Sequence, residues 1–188
     1  MPEGEVIAVY GGTFDPPHVG HVLAAAWALS AGGATRVLVI PSYEHPLGKR
    51  PRASFEDRMA MCELAMATLV GVEVSRIEQE LGGTSRTLHT LEALGKRMPD
   101  ARLRLLVGAD VLEETHRWHR WDRIVELAEP LVLGRAGYAT RGDSPALPEV
   151  SSTELRDRIE QGLSVAGLVP TTVTALIAER GLYAGPPA

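Results

Sequence analysis

The chain has 188 residues, enough for one domain with a substantial core, and 45% of them are hydrophobic, so disorder is not the expectation. Against 24 Asp and Glu there are 19 Lys and Arg, a formal net charge of −5 that argues against a general nucleic-acid binder but leaves room for a local basic pocket. The one cysteine, Cys62, excludes an internal disulfide and a cysteine metal cluster, and fits a reducing cytoplasm.

The acidic start Met1-Pro2-Glu3-Gly4-Glu5 runs straight into a strand-like segment and does not read as a signal peptide, and no apolar run reaches membrane-spanning length. In chain order, strands are predicted at Val6 to Tyr10, Arg36 to Ile40, Val72 to Ser75, Leu103 to Val107 and Leu131 to Leu133. Helices are predicted at Val19 to Ser30, Ser54 to Leu69, Ser85 to Met98, Asp110 to Arg117, Trp121 to Leu127, Ser152 to Gln161 and Pro170 to Arg180. This alternation predicts an α/β fold, a Rossmann-like doubly wound parallel sheet in a single domain over 1–188, with its core at about 5–183 and a helical C-terminal part at about 152–183. Pro41 to Ala53 and Ala136 to Pro148 read as long loops at strand ends, where substrate lids tend to be found.

The segment Tyr10-Gly11-Gly12-Thr13-Phe14-Asp15-Pro16-Pro17-His18-Val19-Gly20-His21 joins a strand, two glycines and two histidines at helical spacing. Gly11-Gly12 predict a sharp turn close to a ligand, Asp15 a helix cap, and Pro16 or Pro17 the first helical position. The free N–H groups of that helix start then offer a phosphate site, with His18 and His21 on one face of the first turn. In Val150-Ser151-Ser152-Thr153-Glu154-Leu155-Arg156, Ser151 or Ser152 caps a second helix, Glu154 stands in capping-box position, and Arg156 lies one turn in. His116 and His119 have metal-ligand spacing but no third partner in view, so surface histidines are the preferred reading. Trp121 reads as a core anchor, and Lys49-Arg50-Pro51-Arg52 as a solvated loop with phosphate steering as its sharper alternative.

The pattern G-G-T-F-D-P-x-H-x-G-H resembles the signature of the nucleotidyltransferase superfamily, in the wording of bacterial nicotinate-nucleotide adenylyltransferases, and Ser151-Ser152-Thr153-x-x-Arg156 resembles that family's second motif. The resemblance covers nearly the whole chain. It implies adenylyl transfer from ATP to nicotinate mononucleotide, with pyrophosphate as second product, in NAD synthesis. It implies that His18, His21 and Arg156 are catalytic, and that Gly11, Gly12, Thr13, Phe14, Gly108, Asp110, Ser152 and Thr153 bind ATP beside them. Thr87 and Trp118 would hold the mononucleotide, Trp118 by stacking on the pyridine ring, with Arg135 and Lys49 contributing. Mg²⁺ is expected with ATP, held by phosphates and water, with no protein metal site, no nucleic acid and no membrane involved. Three departures stand out: Arg86 replaces the family tyrosine, Ala136 a proline, and His45-Pro46-Leu47-Gly48-Lys49 the usual Pro-Pro-His-Lys. Rival readings use the same site for nicotinamide mononucleotide, phosphopantetheine or cytidylyl transfer, or make the chain an idle nucleotide sensor. A tRNA-handling module sharing the His-x-Gly-His helix is disfavoured by the charge.

Overall fold

Strand β1 (Val6–Gly12) sends Ile7 and Val9 to one side and Ala8 to the other, and all three are buried, so this strand is the centre of the sheet. The computed structural model describes residues 4–44, 50–84, 86–135 and 146–185, with backbone alone for Asp110, Arg117, Arg135 and Ala146. Around β1 are β2 (Arg36–Pro41), β3 (Val72–Val74), β4 (Arg102–Gly108), β5 (Glu129–Arg135) and β6 (Ala146–Leu147). Their order is β3-β2-β1-β4-β5-β6, and every pairing is parallel. The chain winds outward from β1 to β3, then returns to β4 beside β1 and winds the other way. That reversal puts a crevice at the carboxyl ends of β1 and β4, as the doubly wound reading requires.

Helices α1 (Val19–Ser30) and α2 (Phe55–Met66) cover one face, where Ala24, Ala25 and Ala28 lie with Ala8, Val37 and Val39 in one buried cluster. The small side chains of α1 let it lie close to the sheet. Helices α3 (Ile77–Leu81), α4 (Thr87–Arg97) and α6 (Trp121–Leu127) cover the other face through Ile77, Leu88, Leu91, Leu94 and Ile124, which meet Ile7, Val9, Leu38 and Leu105. Between them comes α5 (Ala109–Glu113), followed by a 3-10 turn at Thr115–Arg117 rather than one continuous helix. The last helices, α7 (Ser152–Glu160) and α8 (Thr171–Glu179), build a third cluster with α2 in which Leu155, Val173 and Ile177 meet Met61 and Ala65.

The predicted strands and helices are present, with ends shifted by a few residues. Two short elements were not predicted: α3 has five residues and β6 two, too few to show a period. Residues 45–49, 85 and 136–145 lie outside the described residues, and with them most of the two predicted loops. Among the described residues, no helix is long and apolar enough to cross a membrane.

Candidate active site

The first motif departs from its predicted local geometry in an informative way. Gly11 and Gly12 do not turn; they continue β1, in register with Ile40 and Pro41 of β2. The reversal comes at Phe14, whose φ of 52° is in the left-handed region and whose ring is buried against α1. Gly12 makes room for it, since a Cβ there would lie 2.9 Å from Phe14 Cζ. Phe14 then presents its ring edge to Tyr10 and His21, with centroids at 5.5 and 4.8 Å.

Asp15 is not the cap of α1, and neither proline enters the helix. His18 is the N-cap, with extended backbone, so the helix begins three residues later than an Asp15 cap would start it. Nor are all the first-turn amides available to phosphate: Leu168 C=O takes the Val19 N–H at 2.9 Å, and His18 C=O takes that of His21 at 2.9 Å. The two imidazoles stack at 3.7 Å between centroids, with 30° between their planes. The His18 N–H donates to His21 Nδ1 at 3.1 Å, which needs that nitrogen's lone pair and so assigns the His21 proton to Nε2. The His21 ring is thereby arranged with Nε2–H as its outward donor.

Gly20 explains the spacing of the histidines. A Cβ there would meet the His18 ring at 3.1 Å, tighter than ordinary contact, so a glycine between the histidines allows the ring to lie flat on the helix start. Gly20→Ala should therefore raise helix propensity by up to about 1 kcal/mol and yet lower kcat by roughly tenfold, through displacement of His18. Melting and steady-state kinetics on one preparation check this; unchanged kcat would show that the ring has room to move.

The second motif is joined to the first. The Ser152 hydroxyl donates to Pro16 C=O at 2.9 Å, and Arg156 Nη1 donates to Asp15 C=O at 2.7 Å and lies 3.6 Å from its carboxylate. Arg156 Nη2 donates to the Thr153 hydroxyl at 3.1 Å. Ser151 stands at the N-cap of α7 without a side-chain cap bond, and Glu154 lies 3.9 Å from Arg158 instead of closing a capping box. Beneath both motifs Arg58, 1% exposed, donates from Nη1 to Thr13 C=O at 2.9 Å and from Nη2 to Ser42 C=O at 2.8 Å. Burial lowers its pKa from the ordinary arginine value, and the charge of Asp15 works against that shift.

Two cavities meet at this crevice. The larger, about 510 Å³, is within the range of small-molecule sites and is lined by His18, His21 and Arg156. Gly11, Thr13, Phe14, Gly108, Ser152 and Thr153 are on the same wall, whereas Gly12 borders only the second cavity. That second cavity, about 190 Å³, lies toward α4 and holds Thr87 and Trp118. Gly11, Thr13, Leu106, Val107 and Trp118 border both. Half-buried Trp118 also packs edge-on to Trp121 at 5.4 Å, so it is at once core and lining. Asp110 lies on α5 and Arg135 at the end of β5, with no side-chain description, and Lys49 falls outside the described residues. His116 is exposed, with its ring Nδ1 3.2 Å from Glu113 O, and His119 is exposed too. No group of three or more His, Cys, Asp or Glu able to hold a metal ion occurs among the described residues.

A family model described as cytidylyltransferase-like matches residues 9–158. A relative named probable nicotinate-nucleotide adenylyltransferase, from Anaeromyxobacter sp. (strain K), is 47% identical over 98% of this chain and all of its own length. Its counterpart in Myxococcus xanthus is 42% identical over 94% of each chain. This chain belongs to the nicotinate-nucleotide adenylyltransferase family. Nicotinic acid mononucleotide adenylyltransferase of Plasmodium falciparum, solved with NaAD, shares the fold at a TM-score of 0.82 and 15% identity, covering 95% of this chain and 97% of that one. As a member of that family this chain is a nucleotidyltransferase, and its two motifs line the larger cavity. Four further residues line the cavities, and the sequence offers a phosphate role for Arg50 alone among them. Arg50 borders the larger cavity, and Ser42, Glu78 and Thr90 the smaller. The Glu78 carboxylate accepts from Tyr43 N–H at 3.1 Å and from the Thr90 hydroxyl at 3.3 Å. Arg50 belongs to the basic run whose alternative reading is phosphate steering, whereas Glu78 has no signal, because α3 itself has none.

Proposed function

We propose that the chain transfers the adenylyl group of MgATP to nicotinate mononucleotide, forming nicotinate adenine dinucleotide and pyrophosphate in NAD synthesis. A phosphate oxygen of the mononucleotide attacks the α-phosphorus, and the bond to the β-phosphate oxygen breaks as pyrophosphate leaves. The nucleophile is already an anion near neutral pH, so alignment and charge stabilisation are the main demands. The observation that carries this reading is the meeting of two cavities across Gly11 and Thr13, with His18, His21 and Arg156 gathered on the larger one.

In this reading the larger cavity takes ATP. His21 Nε2–H donates to an α-phosphate oxygen where negative charge grows, His18 contributes beside it, and Gly11, Thr13, Phe14 and Gly108 shape the wall, while Gly12 borders the smaller cavity instead. Ser152, Thr153 and Arg156 face the outer phosphates, and Asp110 the adenosine. The smaller cavity takes the mononucleotide, through Thr87 and the Trp118 face, with Arg135 and Lys49 completing the acceptor side. Mg²⁺ enters bound to ATP phosphates and water. The Asp15 carboxylate in the ATP cavity supports this, since its oxygens already accept from the Arg52 and Ala53 amides and the Tyr183 hydroxyl. The catalytic unit spans about 5–183, and ATP supply together with free Cys62 suits a cytoplasmic setting.

The test supplies purified protein with MgATP and each mononucleotide in turn while pyrophosphate is followed. Turnover with the nicotinate form is expected, and none with either pyridine nucleotide would sink the reading. The amide is the competitor to include, because the Glu78 carboxylate borders the acceptor cavity and repels a second carboxylate. Trp118→Ala should raise the mononucleotide KM by roughly tenfold, and an unchanged KM would end the stacking proposal.

A further inference from the structure

Asp15, Arg58 and Tyr183 are polar and 3%, 1% and 6% exposed, and they lie together, Asp15 lining the ATP cavity and the other two behind it. Burying such groups is unfavourable unless each finds partners, and here each does, although Arg58 Nε itself has no hydrogen-bond partner. The Tyr183 hydroxyl donates to Asp15 Oδ1 at 2.7 Å, and its carbonyl accepts from the Arg52 guanidinium at 3.5 Å. Its backbone has φ of 63°, a conformation that a residue with a side chain holds only when its contacts impose it. Burial, and then the bond to Asp15, push the phenol well above the usual tyrosine range, so it remains a protonated donor.

Asp15 is the next link. Oδ1 also accepts from the Ala53 N–H at 3.1 Å, and Oδ2 from the Arg52 N–H at 2.8 Å. The same residue receives Arg156 twice, at its carbonyl and beside its carboxylate. A carboxylate held by three donors has one orientation, and that orientation sets where the guanidinium of Arg156 can lie.

We propose that Tyr183 is a positioning residue for the nucleotide: through Asp15 its hydroxyl holds Arg156 toward the outer phosphates, and it has no part in holding the acceptor. The inference rests on the adenylyl-transfer reading for its nucleotide. Tyr183→Phe is the informative change, because the ring keeps its place in the cluster with Met61, Leu155 and Val173 while the hydroxyl alone is lost.

MgATP is titrated calorimetrically, without acceptor, into the wild type, Y183F, R156A and the double variant, and melting temperatures and both KM values are measured. Y183F should weaken ATP binding about fivefold to tenfold and raise the ATP KM in parallel, with the acceptor KM within about twofold. In the R156A background, adding Y183F should change ATP binding by less than about twofold, because the route through Arg156 is already gone. Wild-type ATP affinity in Y183F overturns the proposal, as does an equal effect in both backgrounds. So does a parallel rise of both KM values with a large loss of melting temperature, which is the mark of a merely structural hydroxyl. A wild type that binds no ATP sinks the adenylyl-transfer reading and this one with it, whereas a wild type that binds ATP beside an unaffected Y183F sinks this one alone.

Discussion

Replacing His21 by alanine is expected to lower kcat by about a hundredfold to a thousandfold, the effect typical of removing one preorganised donor from a developing oxyanion. ATP affinity should fall by only a few-fold, since the Nε2–H gains most where charge grows in the transition state. The fold should survive. His21 is half-buried, and its loss leaves the His18 N–H without its Nδ1 acceptor, which costs about 1 kcal/mol, or a few degrees of melting temperature in a chain of this size. Single-turnover kinetics at saturating ATP make the check, and near-normal turnover would remove His21 from the chemistry.

The largest loss of stability is expected at Arg58. Arg58→Met keeps an apolar stem but removes the two donors that join the turn after β1 to the end of β2 at Thr13 and Ser42. Two carbonyls lose their partner and the buried Asp15 carboxylate loses a neighbouring cation, so about 3–5 kcal/mol should be lost. For a chain of this length that is roughly 10 °C of melting temperature. Thr13 borders both cavities, so substrate affinities should weaken together, unlike the selective effect at Tyr183. Thermal unfolding decides the matter, and an unshifted transition would mean that water takes over the guanidinium's bonds.

Much of the architecture was legible because its signals are local. The apolar run of β1, the Ser54 cap of α2 and the apolar face of α4 lie within short windows, and so do the two motifs that carry His18, His21, Ser152, Thr153 and Arg156. What was illegible depends on distant partners. An aspartate before proline reads as a helix cap, but Asp15 is claimed by Arg52, Ala53 and Tyr183. Paired glycines read as a turn, but the left-handed residue is Phe14, held by packing that no window contains. Arg58 reads as an ordinary helix charge until the fold closes over it. Glu78 sits on one helical turn, too brief for periodicity to reveal.

The bonds that join the two motifs, Ser152 to Pro16 and Arg156 to Asp15, span 136 and 141 residues of sequence, and the bond from Tyr183 near the C-terminus to Asp15 spans 168. Contacts so distant in sequence carry a high loop-closure entropy and are expected to form late in folding, after the sheet has given them a frame. On the ribosome, the early motif therefore waits, incomplete, for nearly the whole chain to be made. In the proposed reaction a nucleotide bound across the join stabilises only the finished assembly, so MgATP is expected to raise the melting temperature of the wild type.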